Sequence, residues 1–295
     1  MSSRGFARAT ALVSTLLSFA VACSSPAPSS SSAASSANAI SSALASAVAA
    51  PSASSRRPAA AAGSSTVLPD GTLSYIEITT GQADASQPLP LVVGLHGFGD
   101  RPDNFIHVVK RLSVPARVVA LRAPTKRDDG FSWFEPVAKL SDRDGDAFAT
   151  DISWAVSLVA STVEQLAKTK PTVGKPIVFG FSQGGMLSWA MAVAYPERVA
   201  AVLPIAGMLP RPLYPPPAPP NSPVPMSSLP PVFAFHGEAD ERVPFSQGAR
   251  TARALESAGY PLKMQSFPNV QHTIPEHVRD ALLESLKQVI SDQGR

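Results

Sequence analysis

Gly180-Phe181-Ser182-Gln183-Gly184 sets one serine between two glycines. A serine hydroxyl is a poor nucleophile until it is exposed and a neighbouring base can take its proton. A sharp strand-to-helix turn supplies the exposure, and flanking glycines let strand and helix pass close by. The surroundings suit such a turn: residues 176–181 (PIVFGF) predict a strand before the serine and residues 185–195 (GMLSWAMAVAY) a helix after it. A bare G-x-S-x-G arises by chance in many chains. Strand and helix around it point to attack by Ser182 on an ester or thioester carbonyl.

A serine so placed needs a base and an acid, which follow it in the order Ser, acid, His. His272 fits the base, in FPNVQHTI just after a strand pattern at residues 262–267. The chain has five histidines. His277 falls in the last helical pattern, where a surface side chain is the ordinary outcome. His107 falls in another helical pattern, and His96 and His236 each end an apolar run before glycine. His96 and His107 also precede the serine, against the expected order. Asp240 is the best-placed acid, in HGEADERVP directly after the apolar run PVFAFH. Its part would be to hold the imidazole in the right tautomer and stabilise the imidazolium. Glu238 and Glu241 are its neighbours, and a solvated loop carboxylate is the commoner fate of such residues. Developing negative charge on the carbonyl oxygen calls for backbone N–H groups. The amide of Gln183 is one candidate, and that of Phe98, in the glycine-rich turn LHGFGD, is the other.

The elements that must position these groups read as strand and helix in alternation. LPLVVGL (Leu89–Leu95), RVVAL, PIVFGF, AVLPI and PVFAFH are nearly continuous apolar runs, as strands buried on both faces should be. Between them Phe148, Ile152, Val156, Val159, Val163 and Leu166 keep a helical period; Ala254, Leu255 and Ala258, then Val278, Leu282, Leu286 and Val289, repeat it. The alternation predicts an α/β fold, a doubly wound, mostly parallel sheet with helices on both faces. Ligands of such a sheet bind at the carboxyl ends of its strands. A run of eleven prolines within residues 210–231 interrupts the rhythm. Proline this dense excludes helix interior and central strand, so the segment is expected as a long loop, either a tolerated surface insertion or a stiff rim at the active face.

Composition divides the 295 residues into three parts: 1–22, 23–66 and 67–295. Arg4 and Arg8 followed by the apolar residues 9–22 read as an export signal, too short for a membrane-spanning helix. Ala20-Val21-Ala22 then forms an A-x-A cleavage site. Cys23, the single cysteine, stands just beyond it, where a bacterial lipoprotein carries its acyl chains; the alternative is simple secretion. Residues 24–65 are so rich in Ser, Ala and Pro that they are expected to remain a flexible tether. The net charge of +3 belongs to the leader and tether, because Arg4, Arg8, Arg56 and Arg57 all precede Asp70, the first acidic residue. Nothing in residues 67–295 reads as a nucleic-acid footprint. No cluster has metal-ligand spacing. Asp142, Asp144 and Asp146 hint at a calcium loop, but Ala147 and Ser153 stand where it needs Gly and Glu; capping of the following helix is the better account.

LHGFGD, Gly130-Phe-Ser-Trp-Phe134, GFSQGG, HGEADERVP and QHTIP occur together in this order. With these five segments the chain from about Leu89 onward resembles the phospholipase/carboxylesterase family of α/β-hydrolases, which includes acyl-protein thioesterases. The resemblance implies a cofactor-free hydrolase acting on short- to medium-chain esters or thioesters. It also sets Trp133 and Phe134 near the substrate entrance, with a core role equally open to both. The leader, tether and proline-rich insertion depart from the compact family pattern and weaken any carry-over of a cytosolic depalmitoylating role. An esterase on an extracellular polyester or cell-wall acyl groups is a second reading. A tethered binding protein that keeps the fold without catalysis is a third. Oligomeric state is not legible in the chain.

Overall fold

A computed structural model describes residues 67–68, 70–135, 145–219 and 228–293. The export signal, Cys23 and the tether lie outside the described residues, as does most of the Asp142–Asp146 segment.

Along the chain the elements are β1 (Tyr75–Thr80), β2 (Leu89–Leu95), α1 (Pro102–Phe105), β3 (Ala116–Leu121), β4 (Thr125–Arg127), β5 (Gly130–Ser132), α2 (Gly145–Thr169), β6 (Thr172–Phe181), α3 (Gln183–Ala194), β7 (Ala201–Ile205), β8 (Val232–Gly237), α4 (Phe245–Ser257), β9 (Leu262–Phe267) and α5 (Glu276–Gln293). Among the described residues, seven strands form one sheet in the order β1-β3-β2-β6-β7-β8-β9. Only β1 runs antiparallel to its neighbour. This is the α/β-hydrolase fold, a mostly parallel sheet with helices on both faces.

The apolar runs form central strands because both of their faces are covered. In β2, Leu91, Val93 and Leu95 enter one core and Val92 the other. In β3, Val119 and Leu121 face the first core, and Val118 and Ala120 the second. The helical period of α2 delivers Phe148, Ile152, Val156, Val159, Val163 and Leu166 to the first core. That of α5 delivers Val278, Leu282, Leu286 and Val289 to the second. Helix α3 is buried on every side from Gln183 to Val193, as a helix without a polar face must be.

Two elements go beyond the sequence reading. Strand β1 alternates apolar and polar residues at the sheet edge, and its Glu77 pairs with the buried Arg117 and with Lys170. Strands β4 and β5 make a hairpin of three-residue arms. The described ends of the proline-rich segment pack on the helical layer, where Leu213, Tyr214 and Leu229 meet the first core and the Ala218 N–H donates to Ser257 O.

Candidate active site

Ser182 stands between β6 and α3 with φ 56° and ψ −114°, a left-handed backbone uncommon for a residue with a Cβ. The turn is held from three directions. The Ser182 N–H donates to Ile205 O at 3.0 Å, and its carbonyl accepts the Met186 N–H at 2.9 Å. Helix α3 leaves the turn so close to β2 that a Cβ on Gly184 would lie 1.9 Å from Leu95 O. Only glycine fits there.

His272 lies on the loop after β9, and Asp240 on the loop after β8. His272 Nε2 is 2.9 Å from Ser182 Oγ, and His272 Nδ1 is 2.7 Å from Asp240 Oδ2. A carboxylate only accepts, so the imidazole carries its proton on Nδ1 and presents a lone pair to the serine hydroxyl. The other carboxylate oxygen, Oδ1, accepts the N–H groups of Arg242 and Val243, each at 2.9 Å. Burial pushes the Asp240 carboxyl upward. The hydrogen bond from His272 and those from the two amides outweigh it, and the net direction is downward. The ionised form is the one this site holds.

The remaining candidates separate cleanly. His277 and His107 are exposed, and His277 lies against the Phe267 ring. His96 and His236 are buried at the ends of β2 and β8. Glu238 accepts a hydrogen bond from Ser266 Oγ at 2.7 Å. Glu241 lines a cavity with Ser182 and His272 and takes no hydrogen bond from the imidazole.

That cavity has a volume of about 540 Å³ and opens at the carboxyl ends of β2, β6, β8 and β9. Phe98 and Phe181 form its apolar wall, while Asp100, Glu241 and Arg242 bring charge to it. The Phe181 ring also lies 4.8 Å from the His272 ring, centroid to centroid. Phe98 is 46 % exposed on the rim. Its loop is fixed by Gly99 N–H donating to Phe131 O at 2.9 Å and by His96. The His96 ring accepts the Ala123 N–H on Nε2 at 3.2 Å and donates from Nδ1 to Gly97 O at 2.7 Å. Burial lowers its basicity, in keeping with that neutral tautomer. Gln183, as the first residue of α3, has a backbone N–H with no intrahelical acceptor.

One feature escaped the sequence reading. The side chain of Gln183 is buried and clamps the segment after β5: Oε1 accepts the Trp133 N–H at 3.1 Å, and Nε2 donates to Phe134 O at 2.9 Å. A Gln beside the nucleophile is the only sequence sign of it. Trp133 and Phe134, for which the entrance and the core were both open, are core residues. Trp133 donates its indole N–H to His96 O at 2.8 Å, and Phe134 packs edge-on against Phe148. Among the described residues no group of three or more His, Cys, Asp and Glu side chains could hold a metal ion.

Comparison with known proteins gives a family and a set of similar chains. The family model described as Phospholipase/Carboxylesterase matches residues 76–290. A probable inactive carboxylesterase of Oryza sativa subsp. japonica is 24 % identical over 75 % of this chain and 91 % of its own length. Acyl-protein thioesterase 1 of Candida albicans is 23 % identical over 70 % of this chain and 95 % of its own. The crystal structure of esterase PE8 superposes with a TM-score of 0.62 at 22 % identity, covering 74 % of this chain and 99 % of that one.

Proposed function

The chain belongs to the phospholipase/carboxylesterase family of hydrolases, and we propose that it is an exported carboxylesterase that hydrolyses short- to medium-chain acyl esters or thioesters through Ser182, His272 and Asp240. The observation that carries this reading is the unbroken line from Ser182 Oγ through His272 to Asp240, at 2.9 and 2.7 Å, on the wall of an open cavity.

The chemistry follows from those atoms. Ser182 Oγ attacks the acyl carbon while His272 Nε2 takes its proton. Asp240 stabilises the imidazolium, and the amides of Gln183 and Phe98 receive the charge that builds on the carbonyl oxygen. Collapse of the tetrahedral intermediate breaks the bond to the alcohol or thiol, which leaves with the proton from His272. Water then attacks the acyl-enzyme, His272 takes a proton again, and the carboxylic acid departs with Ser182 restored.

Export is supported by Arg4, Arg8, the apolar residues 9–22 and the Ala20-Val21-Ala22 site. Cys23 at the new terminus is the proposed point of lipid attachment, so the membrane would be met only through that anchor. Incorporation of labelled fatty acid into wild type and not into Cys23→Ser tests it. The catalytic reading is tested with a nitrophenyl ester series and acyl thioesters. The folded wild type should turn over short and medium chains and Ser182→Ala should not. A folded wild type inert on every ester and thioester would favour the binding-protein reading instead.

A further inference from the structure

His236 is the last residue but one of β8, four residues before Asp240; it is buried and takes no part in the steps above. Its Nε2 lies 2.8 Å from Val243 O and 3.6 Å from Asp240 Oδ2. A carbonyl only accepts, so Nε2 carries the proton and donates a hydrogen bond to Val243 O; the carboxylate is too far for a hydrogen bond. The opposite nitrogen, Nδ1, faces helix α4 at Gly248, where a Cβ would stand 2.4 Å from it. Phe245 of the same helix meets the ring edge-on at 5.8 Å. The ring is therefore fixed on both sides. Val243, whose carbonyl accepts this hydrogen bond, is also the residue whose N–H holds Asp240 Oδ1 at 2.9 Å.

We infer that His236 is a positioning residue for the acid of the triad, its Nε2–H strapping the Val243 carbonyl so that the Arg242 and Val243 amides meet Asp240 Oδ1 and leave Oδ2 to His272. The inference rests on the proposed triad. The strap closes a turn from residue 236 to residue 243 over the buried carboxylate; the Glu238 and Ala239 N–H groups tie its first half to Phe267 O and Val270 O, and its second half is held by the Arg242 and Val243 amides on Asp240 Oδ1 and by this strap. The titratable groups that act on His236 are Asp240, from its own loop, and His272, from the loop after β9, while α4 brings Phe245 and Gly248 against its ring. Burial keeps the ring below the ordinary histidine range, with the hydrogen bond to Val243 O and the charge of Asp240 opposing. An uncharged strap suits a place beside an imidazolium that must form and vanish in each cycle.

Glutamine can put an amide N–H where histidine has Nε2, whereas leucine fills the slot without a donor. His236→Leu should therefore lower kcat by about 10- to 100-fold, the scale of a displaced catalytic group, with KM nearly unchanged. His236→Gln should recover most of that loss. Rates are referred to active sites counted by burst titration, so loss of folded enzyme does not enter. His236→Leu at the wild-type rate, or Leu and Gln variants equally slow, overturns the strap. Asp240→Asn is measured beside them: at the wild-type rate it overturns the triad reading, and a slow Asp240→Asn with a fast His236→Leu overturns only the strap. ¹H–¹⁵N NMR of the wild type decides the matter should His236→Leu not fold. The Nε2–H tautomer persisting from neutral to mildly acid pH is the expected result; the Nδ1–H tautomer, or a ring charged at neutral pH, contradicts it.

Discussion

Around Ser182 two backbone hydrogen bonds are backed by close contact: α3 is buried on every side, and Gly184 lies so close to Leu95 O that a methyl group would overlap it. Around Asp240 and His272 it is held by hydrogen bonds: two amides on Oδ1, an imidazole on Oδ2, and the strap from His236 to Val243. The difference follows from where each group sits. The serine leaves the middle of the sheet, with β2 and β7 flanking β6, whereas the acid and base leave β8 and β9 at one side of it. Packing fixes a backbone that must stay strained. Hydrogen bonds fix side chains that must exchange protons without moving far. The two halves should therefore fail in different ways.

Ser182→Ala carries the largest effect. Deleting the nucleophile should lower kcat by about 10⁵-fold or more in steady-state ester hydrolysis. Asp240→Asn comes next, with a loss of about 10³- to 10⁴-fold because the imidazole loses its oriented tautomer. Its circular dichroism and melting temperature should stay close to wild type, as failure by hydrogen bonding requires. Gly184→Ala should fail in the other manner, losing about 3 kcal/mol in urea unfolding from backbone overlap. A Gly184→Ala enzyme of wild-type stability, or an Asp240→Asn enzyme that unfolds, would break the contrast.

The smallest effect lies away from the cleft. Burial raises the Glu77 carboxyl, but hydrogen bonds from Lys170 and Arg117 outweigh it, and it is held below its usual range. The folded form thus releases its proton more readily than the unfolded chain. The stabilisation is complete above the unfolded carboxyl range and is lost as pH falls through the lower, folded one. Glu77→Gln should cost about 1 kcal/mol at neutral pH, solvent screening included. In urea titrations the deficit should shrink as pH falls below about 4. A deficit independent of pH would remove the ion pair from the account.

The central strands were legible because burial on both faces leaves an unbroken apolar run, and helices α2 and α5 because one buried face keeps a 3.6-residue period. The meeting of Ser182, His272 and Asp240 was legible because Ser182 and Asp240 each follow such a run and His272 follows the strand pattern of residues 262–267, in a recognisable order. Strand β1 was not, since its Glu77 reads as a surface charge until its ion pair with the buried Arg117 on β3 is seen. The β4–β5 hairpin has arms too short for any period to show. Gln183, His96 and His236 each touch partners fixed only by the fold. Sequence spacing carries no sign of Gln183 clamping Trp133 from 50 residues away. A histidine before glycine at a strand end looks the same whether it reacts or straps a loop.

The central claim is that Ser182, activated by His272, becomes the acylated residue. Reaction of the folded wild type with a fluorophosphonate, followed by proteolysis and mass spectrometry, tests it most directly. One adduct is expected, on Ser182 in the peptide that carries GFSQGG, and it should vanish in Ser182→Ala. An adduct on another residue, or no adduct on a folded wild type, would contradict the account.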